Sequence, residues 1–185
     1  MTNGRKTLTY HFTYVAMCIA ILTVSAWITV PFVINFSLQT LAVFWIAAVS
    51  HWKQSITAIL LYLTLGSLGA PVFSGFQGGF SVLLHTTGGY LVGFLAATLI
   101  IGLAVRFFGK TQPVLWISML LALTVCYGCG TAWYMILYSR ADEPVSLVVA
   151  FSTCVLPFLL PDLAKTALAI LLTRRMEPYL LRLHP

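Results

Sequence analysis

The sequence predicts an all-α integral membrane protein, a bundle of six transmembrane helices, and three observations support this fold class. First, 60% of the 185 residues are hydrophobic and only 8% are charged, whereas soluble domains average about 45–50% apolar and about 25% charged residues. Second, the apolar stretches are long and continuous, as helices that cross a bilayer require, and do not alternate as barrel strands would. Third, backbone polar groups in lipid must be paired internally, which each helix achieves alone.

Six apolar stretches are predicted to be the spans of one transmembrane domain covering residues 1–185. They run over about 8–29, 36–50, 55–70, 88–106, 113–138 and 146–173. The second and third stretches are short for a bilayer whose apolar core needs about 20 helical residues. We therefore expect these two helices to tilt little or to sit partly inside the bundle.

The distribution of basic residues predicts that both termini are cytoplasmic, because cytoplasmic segments carry the excess of Lys and Arg. The outer segments then hold only Arg140, beside Asp142 and Glu143, and Lys165 lies inside the sixth span. The net charge of +6 thus reflects topology, and no nucleic-acid partner is expected. We expect a protein of a bacterial cytoplasmic (inner) membrane. Eight of the ten basic residues lie in inner segments: Arg5, Lys6, Lys53, Arg106, Lys110, Arg174, Arg175 and Arg182.

The predicted outer segment 71–87 contains no Asp, Glu, Lys or Arg but is rich in glycine and aromatic residues. A loop of this composition is poorly suited to bulk solvent. We interpret it as a lid that folds back over a pocket. The alternative is a re-entrant or interfacial segment that only anchors the bundle. Its main residues are Phe73, Gly75, Phe76, Gln77, Gly78, Gly79, Phe80 and His85.

Asp162 and Lys165 are the strongest candidates for ligand binding, because both lie within an apolar stretch. A charge inside a membrane helix costs at least about 2.5–3.5 kcal/mol, so it needs a partner in the bundle interior. A spacing of three residues puts both side chains on one helical face. They can neutralise each other in a purely structural pair or together meet a polar ligand. Pro157 and Pro161 are expected to kink or break the helix nearby.

Other polar residues on the outer side are Asn35, Gln39 and Gln77. Each is either a hydrogen-bonded core amide or a candidate for binding an uncharged polar ring. The spacing of the histidines predicts no metal site, and no nucleophile and base are spaced as a catalytic pair, so we expect no enzyme. The cysteines are expected to be packing residues. We expect the chain to have no ATPase of its own and to need no cofactor. The four cysteines are Cys18, Cys126, Cys129 and Cys154.

Two pairs of small residues spaced by four can let helices approach closely. One is Gly89-x-x-x-Gly93 in the fourth span, and the other is Ala16-x-x-x-Ala20 in the first. Either pair can mark packing within the bundle or a surface for a partner subunit.

Five motifs follow one another along the chain: Phe36-Ser-Leu-Gln-Thr-Leu-Ala-Val43, the stretch 61–75 (LYLTLGSLGAPVFSG), Gly78-Gly79, Thr87-Gly-Gly-Tyr-Leu-Val-Gly93 and Leu160-Pro-Asp-Leu-Ala-Lys165. In this order they resemble the BioY family, the biotin-specific S components of energy-coupling factor (ECF) transporters. The resemblance covers nearly the whole chain.

The resemblance implies a six-helix bundle that binds biotin in a pocket toward the outer side. Asp162 and Lys165 match the family positions expected to bind biotin, and Gln77 falls where a loop amide contacts the ligand. Tyr90 belongs to the glycine-rich signature and is a further candidate. Lys165 is expected to pair with the carboxylate and Asp162 with the ureido ring, or the two roles are exchanged.

The resemblance also implies partner subunits. The pair Ala16 and Ala20 resembles the first-helix motif by which such subunits dock on a transmembrane coupling protein. Family members can work with that protein and two ATPases.

The chain departs from the family pattern at four places. Asn35 and Phe36 stand where a second Pro-Phe is usual, and His85-Thr86 replaces Gly-Pro. Leu91 stands where some relatives carry Arg, and Pro161 replaces the Gly before Asp162.

Alternative functions are an S component for another vitamin such as thiamine or riboflavin, a self-sufficient carrier in which Asp162 carries a proton, and a purely structural subunit.

Overall fold

The computed structural model describes residues 2–30, 36–139 and 146–183, with side chains at 9–30, 36–139 and 146–177. Helices dominate this part of the chain, accompanied by two short strands and a 3₁₀ turn at Ser74–Phe76. The strands are β1 (Thr29–Val30) and β2 (Phe36–Ser37). The helices are α1 (Thr2–Trp27), α2 (Gln39–Val49), α3 (Trp52–Ser67), α4 (Phe80–Leu84), α5 (Gly88–Phe108), α6 (Gln112–Tyr138), α7 (Leu147–Cys154) and α8 (Leu156–Leu183).

Four stretches of the described helices are long and apolar enough to cross a membrane, at Thr9–Trp27, Gly88–Phe108, Gln112–Tyr138 and Leu156–Glu177. The prediction of an all-α membrane protein is therefore confirmed. The 11-residue helix α2 is roughly 16 Å long at about 1.5 Å per residue, and the 16-residue α3 is roughly 24 Å. Both are shorter than the apolar core of about 30 Å.

Helix α2 lies inside the bundle, as expected from its length. Seven of its eleven residues are buried and none is exposed, and the helix packs against α1, α5 and α8. A helix that is apolar all round needs neighbours on every face. The buried residues are Gln39, Ala42, Val43, Phe44, Ile46, Ala47 and Ala48.

Helices α5 and α6 make the most extensive contact of the bundle. Glycines allow it, because a Cβ at Gly89 would overlap Trp133 and the Cys129 carbonyl, and one at Gly93 would press on Cys126. The predicted stripe Gly89-x-x-x-Gly93 thus serves packing within the chain, one of the two functions that the sequence left open.

The stretch 146–173, predicted as one span, contains two helices. The helical path breaks at Val155 (φ −122°, ψ −54°), where α7 ends. Pro157 then occupies the first turn of α8, where its missing N–H is tolerated, and α8 continues past Pro161. The break therefore precedes both prolines, and Phe158 N donates to Val155 O instead of Cys154 O.

The second predicted span also begins later than expected. Residues Phe36 and Ser37 pair antiparallel with Val30 and Thr29, so α2 begins only at Gln39. This strand pairing, absent from the sequence prediction, ties the end of α1 to the start of α2.

Basic residues gather at one end of the bundle, which we call the basic end, comprising His11, residues 49–54 and residues 106–112. Lys53 Nζ lies 5.6 Å and Arg106 Cζ 5.1 Å from the ring of Trp52. Lys110 Nζ donates to Val49 O at 3.1 Å. Burial lowers the pKa of Lys110, and the Glu177 carboxylate opposes this shift. The other end carries a pocket.

Candidate functional site

A pocket opens at the end of the bundle opposite the basic end, where α2, α5, α6, α8 and the segment 71–87 meet. Its cavity volume is about 60 Å³, well below the roughly 300–1,000 Å³ of pockets that hold small molecules. A vitamin-sized ligand therefore requires lining groups to move. The lining residues are Phe36, Ser37, Gln39, Thr40, Phe73, Ser74, Gln77, Val82, Thr87, Tyr90, Leu91, Phe94, Tyr127, Phe158, Asp162 and Lys165.

Asp162 and Lys165 form an ion pair in this pocket. Lys165 Nζ donates to Asp162 Oδ1 at 2.8 Å, and each residue is only 6% exposed. Helix α8 brings them together because residues three apart share a helical face. They are the charged side chains among the described lining residues, so the pocket carries no net charge from them.

Lys165 has two further partners besides Asp162. Its ammonium donates to Ser37 O at 2.7 Å and lies 3.6 Å from the centroid of the Phe36 ring. A cation over an aromatic face is attracted by the negative face of the ring. Phe36 stacks in turn against Phe158 of α8, at 6.0 Å between centroids. The ammonium is thus held between α8 and the segment that leads into α2.

Tyr127 is a second hydrogen-bond partner of Asp162, and the sequence analysis did not identify it. Its hydroxyl donates to Asp162 Oδ2 at 2.8 Å from the middle of α6. Both carboxylate oxygens therefore accept a hydrogen bond, one from Lys165 and one from Tyr127. No spacing rule links residues 127 and 162, and a tyrosine in an apolar span is unremarkable by itself. Only the helix packing reveals the contact.

Gln39 lies in the pocket as predicted and belongs to a hydrogen-bonded chain. Its Nε2 donates to Tyr62 Oη at 2.9 Å, and the Tyr62 hydroxyl donates to Val72 O at 2.8 Å. The amide oxygen of Gln39 is the atom left to accept from a ligand. These hydrogen bonds also connect α2 and α3 to Val72, near the start of the segment 71–87.

Tyr90 lines the pocket and bridges two elements. Its hydroxyl donates at 2.6 Å to Cys154 O, the carbonyl that the break before α8 deprives of a helical donor. A Cβ at Gly130 would overlap the Tyr90 ring, so Gly130 creates the space in which this ring lies. The position of Tyr90 thus depends on a free backbone carbonyl and on a glycine, which no side-chain motif predicts.

The segment 71–79, which we call the covering segment, lies against the pocket through Phe73, Ser74 and Gln77. Phe73 is 1% exposed, and its ring occupies the space above Gly66. On the outside, Trp27 Nε1 donates to Pro71 O at 2.8 Å and its ring stacks on Phe76 at 4.8 Å. The segment therefore folds over the pocket. That it moves as a lid stays a prediction.

The other residues singled out in the sequence lie in different places. Ala16 and Ala20 are exposed on α1, outside the pocket. Asn35 lies outside the described residues. Leu91, at the position where some relatives carry Arg, is buried and lines the pocket. The four cysteines are free, and three of them are buried: Cys18, Cys126 and Cys154.

Comparison with known proteins identifies the family. A sequence model described as the BioY family matches residues 1–182. The chain belongs to the BioY family. This confirms the resemblance seen in the motifs, and with the apolar helices it makes the chain an integral membrane protein.

Several curated relatives of the BioY family match over most of their length. A Pyrococcus horikoshii protein described as a probable biotin transporter BioY is 36% identical over 164 residues, covering 88% of this chain and 93% of the relative. The biotin transporter BioY of Thermotoga maritima is 34% identical over 161 residues, with coverage of 85% and 90%. The biotin transporter BioY2 of Lactococcus lactis is 33% identical over 169 residues, with coverage of 89% and 88%.

A solved structure shares the fold. The crystal structure of the S-component for biotin from an ECF-type ABC transporter superposes with a TM-score of 0.81. The match covers 96% of this chain and 95% of that chain at 22% sequence identity. The arrangement of helices described above is therefore that of a known all-α membrane fold.

Proposed function

We propose that this chain is a non-enzymatic membrane subunit that binds biotin and confers substrate specificity on a vitamin uptake transporter. The observation that carries the proposal is the buried pair Asp162–Lys165 in a pocket under the covering segment. Membership of a family whose curated relatives are described as biotin transporters supports biotin as the substrate.

The chemistry of the pocket suits biotin, which has a ureido ring with N–H donors and a carbonyl acceptor, and an acyl chain that ends in a carboxylate. Asp162 and the Gln39 amide oxygen accept from the ring, and Lys165 donates to the carboxylate, or Asp162 and Lys165 exchange these roles. Gln77 and Tyr90 border the same space. The aromatic walls bury the apolar parts of the ligand.

Binding requires an internal exchange of partners. Lys165 donates to Asp162 and to Ser37 O. A ligand carboxylate competes with these acceptors, and a ureido N–H competes with Lys165 for Asp162. Because the cavity is only about 60 Å³, the covering segment moves away to admit biotin and closes again over it.

The same proposal includes topology and partners. Six spans place both termini in the cytoplasm and the pocket toward the outer side of a bacterial cytoplasmic membrane. The exposed pair Ala16 and Ala20 on α1 contacts a transmembrane coupling protein. Separate ATPase subunits supply the energy for import, and the chain itself needs no cofactor.

Calorimetric titration of the purified chain in detergent with biotin, thiamine and riboflavin tests the function. Saturable heat with biotin alone is expected. Saturable binding of thiamine or riboflavin instead of biotin would indicate an S component with a different substrate. Heat from none of the three, with helix content intact by circular dichroism, would overturn the proposal.

A further inference from the structure

A second cavity lies at the basic end, between α1 and α3, and the proposed function does not use it. Its volume is about 340 Å³, larger than that of the pocket. We call it the lateral groove, defined by His11, Phe12, Val15, His51, Lys53, Gln54, Thr57 and Leu61. It needs an explanation because no described element of the chain fills it.

The surface of the lateral groove is almost entirely apolar, with polar residues at one of its ends. On α3, the polar residues His51, Lys53 and Gln54 come at the start of the helix, and Leu61 lies two turns further along. On α1, His11 precedes Val15 in the same direction. Since both helices run away from the basic end, the polar groups lie at that end and the apolar groups lie deeper in the bilayer.

The polar end of the lateral groove has no acidic residue among the described lining residues. Gln54 Nε2 donates to His11 Nδ1 at 2.5 Å, since an amide NH₂ can only donate. His51 Nδ1 accepts from Lys53 N at 3.4 Å. The Lys53 ammonium carries the positive charge at this end of the groove, and this charge suits an anionic head group.

The depth of the lateral groove suits a lipid. Lys53 and Arg106 lie beside the Trp52 ring at the same end of the bundle, as basic and aromatic residues do at a membrane interface. Phe12 is 66% exposed and Leu61 42% exposed, so the apolar part opens toward the acyl chains. Basic sites on the cytoplasmic side of transmembrane helices attract anionic lipids.

We propose that the lateral groove binds one anionic phospholipid, with its phosphate near Lys53, His11 and His51 and an acyl chain along Val15 and Leu61. The assignment rests on charge complementarity and on the amphipathic order of the groove. It does not depend on biotin binding, since the groove and the biotin pocket lie at opposite ends of the bundle.

Native mass spectrometry of the purified full chain tests the assignment, with titration of phosphatidylglycerol and phosphatidylcholine. We expect one phosphatidylglycerol to be retained in preference to phosphatidylcholine. Lys53→Gln should weaken this binding about fivefold, as expected for one basic residue near a lipid surface. The matched control is Arg106→Gln, which removes a cation at the same end but outside the lateral groove.

A second variant tests the acyl-chain part without changing any charge. Leu61→Trp narrows the apolar half and should also weaken phosphatidylglycerol binding, with helix content checked by circular dichroism. Equal retention of both lipids, or equal losses in Lys53→Gln and Arg106→Gln, would overturn the assignment. So would full competition by inorganic phosphate, which would indicate a soluble anion.

Because Phe12, Ala16 and Ala20 follow one another at intervals of four on α1, the lateral groove adjoins the surface proposed for the coupling protein. If Lys53→Gln and Leu61→Trp leave lipid binding unchanged but weaken assembly with a coupling protein, the groove is a protein-docking surface. That result would likewise overturn the lipid assignment.

Discussion

The two ends of the bundle handle positive charge in opposite ways. At the pocket end, Lys165 is 6% exposed and is held by a carboxylate, a carbonyl and an aromatic ring. At the basic end, Lys53 and Arg106 flank Trp52 and are exposed. A buried charge must be met by fixed partners, whereas an interfacial charge is met by water and head groups. The same residue type therefore marks the proposed ligand site at one end and the expected membrane boundary at the other.

The largest expected effect comes from breaking the buried pair. Asp162→Asn or Lys165→Met leaves one charge without its partner, which typically costs about 3–5 kcal/mol, and removes a group proposed to contact biotin. We expect biotin affinity to fall by about a hundredfold or more, measured by titration calorimetry. The matched control at the basic end is Lys53→Met, which should leave biotin affinity unchanged.

The double variant Asp162→Asn/Lys165→Met separates stability from binding. Because neither charge remains, its unfolding temperature should exceed that of each single variant, while biotin binding stays lost. Undiminished biotin affinity in both single variants would refute the assignment of the site. Equal losses in Lys53→Met would refute the contrast between the two ends.

The next effect concerns the space for Tyr90. Gly130→Ala introduces a Cβ that overlaps the Tyr90 ring, whereas a Cβ at Gly128 meets nothing within 4 Å. We expect Gly130→Ala to lower the free energy of unfolding by about 1–3 kcal/mol, the usual cost of overpacking. It should also weaken biotin binding. Gly128→Ala, two residues away in the same helix, should leave biotin binding unchanged and should not lower the stability. Equal behaviour of the two variants in thermal unfolding would contradict this reading of the site.

Tyr127→Phe tests the second hydrogen bond of Asp162. A hydrogen bond to a charged group contributes about 1.5–3 kcal/mol, so we expect biotin affinity to fall by about tenfold to a hundredfold. Tyr14→Phe at the basic end also removes a buried hydroxyl contact, the one with Ser50 at 2.9 Å. It should leave affinity intact, and a loss matching that of Tyr127→Phe would assign the effect to general packing.

The contrast also explains what the sequence predicts well. Composition and the length of the apolar runs predict a helical membrane protein. In lipid, every backbone N–H and C=O must find a hydrogen-bond partner within the protein, and helices provide these partners. Asp162 and Lys165 are conspicuous for a related reason, since a charge inside an apolar run is expensive wherever it lies. Their mutual contact follows from a spacing of three residues within one helix.

What the sequence does not predict depends on contacts between distant segments. Tyr127 meets Asp162 across 35 residues, and Tyr90 meets the Cys154 carbonyl across 64. The glycine and alanine stripes look alike in sequence, yet Gly89 and Gly93 are buried and Ala16 and Ala20 are exposed. The packing of the helices determines which pair of small residues is buried within the bundle. The four-residue spacing alone does not predict this.

The smallest expected effect concerns the covering segment. Trp27→Phe keeps an aromatic ring for stacking on Phe76 but removes the hydrogen bond from Trp27 Nε1 to Pro71 O. A single such bond contributes about 0.5–1.5 kcal/mol, so biotin should dissociate a few-fold faster in stopped-flow measurements. The control at the basic end is Trp52→Phe, since Trp52 Nε1 has no hydrogen-bond partner among the described residues. If both variants release biotin at the wild-type rate, Trp27 does not hold the segment closed, and the barrier to release lies within the pocket itself.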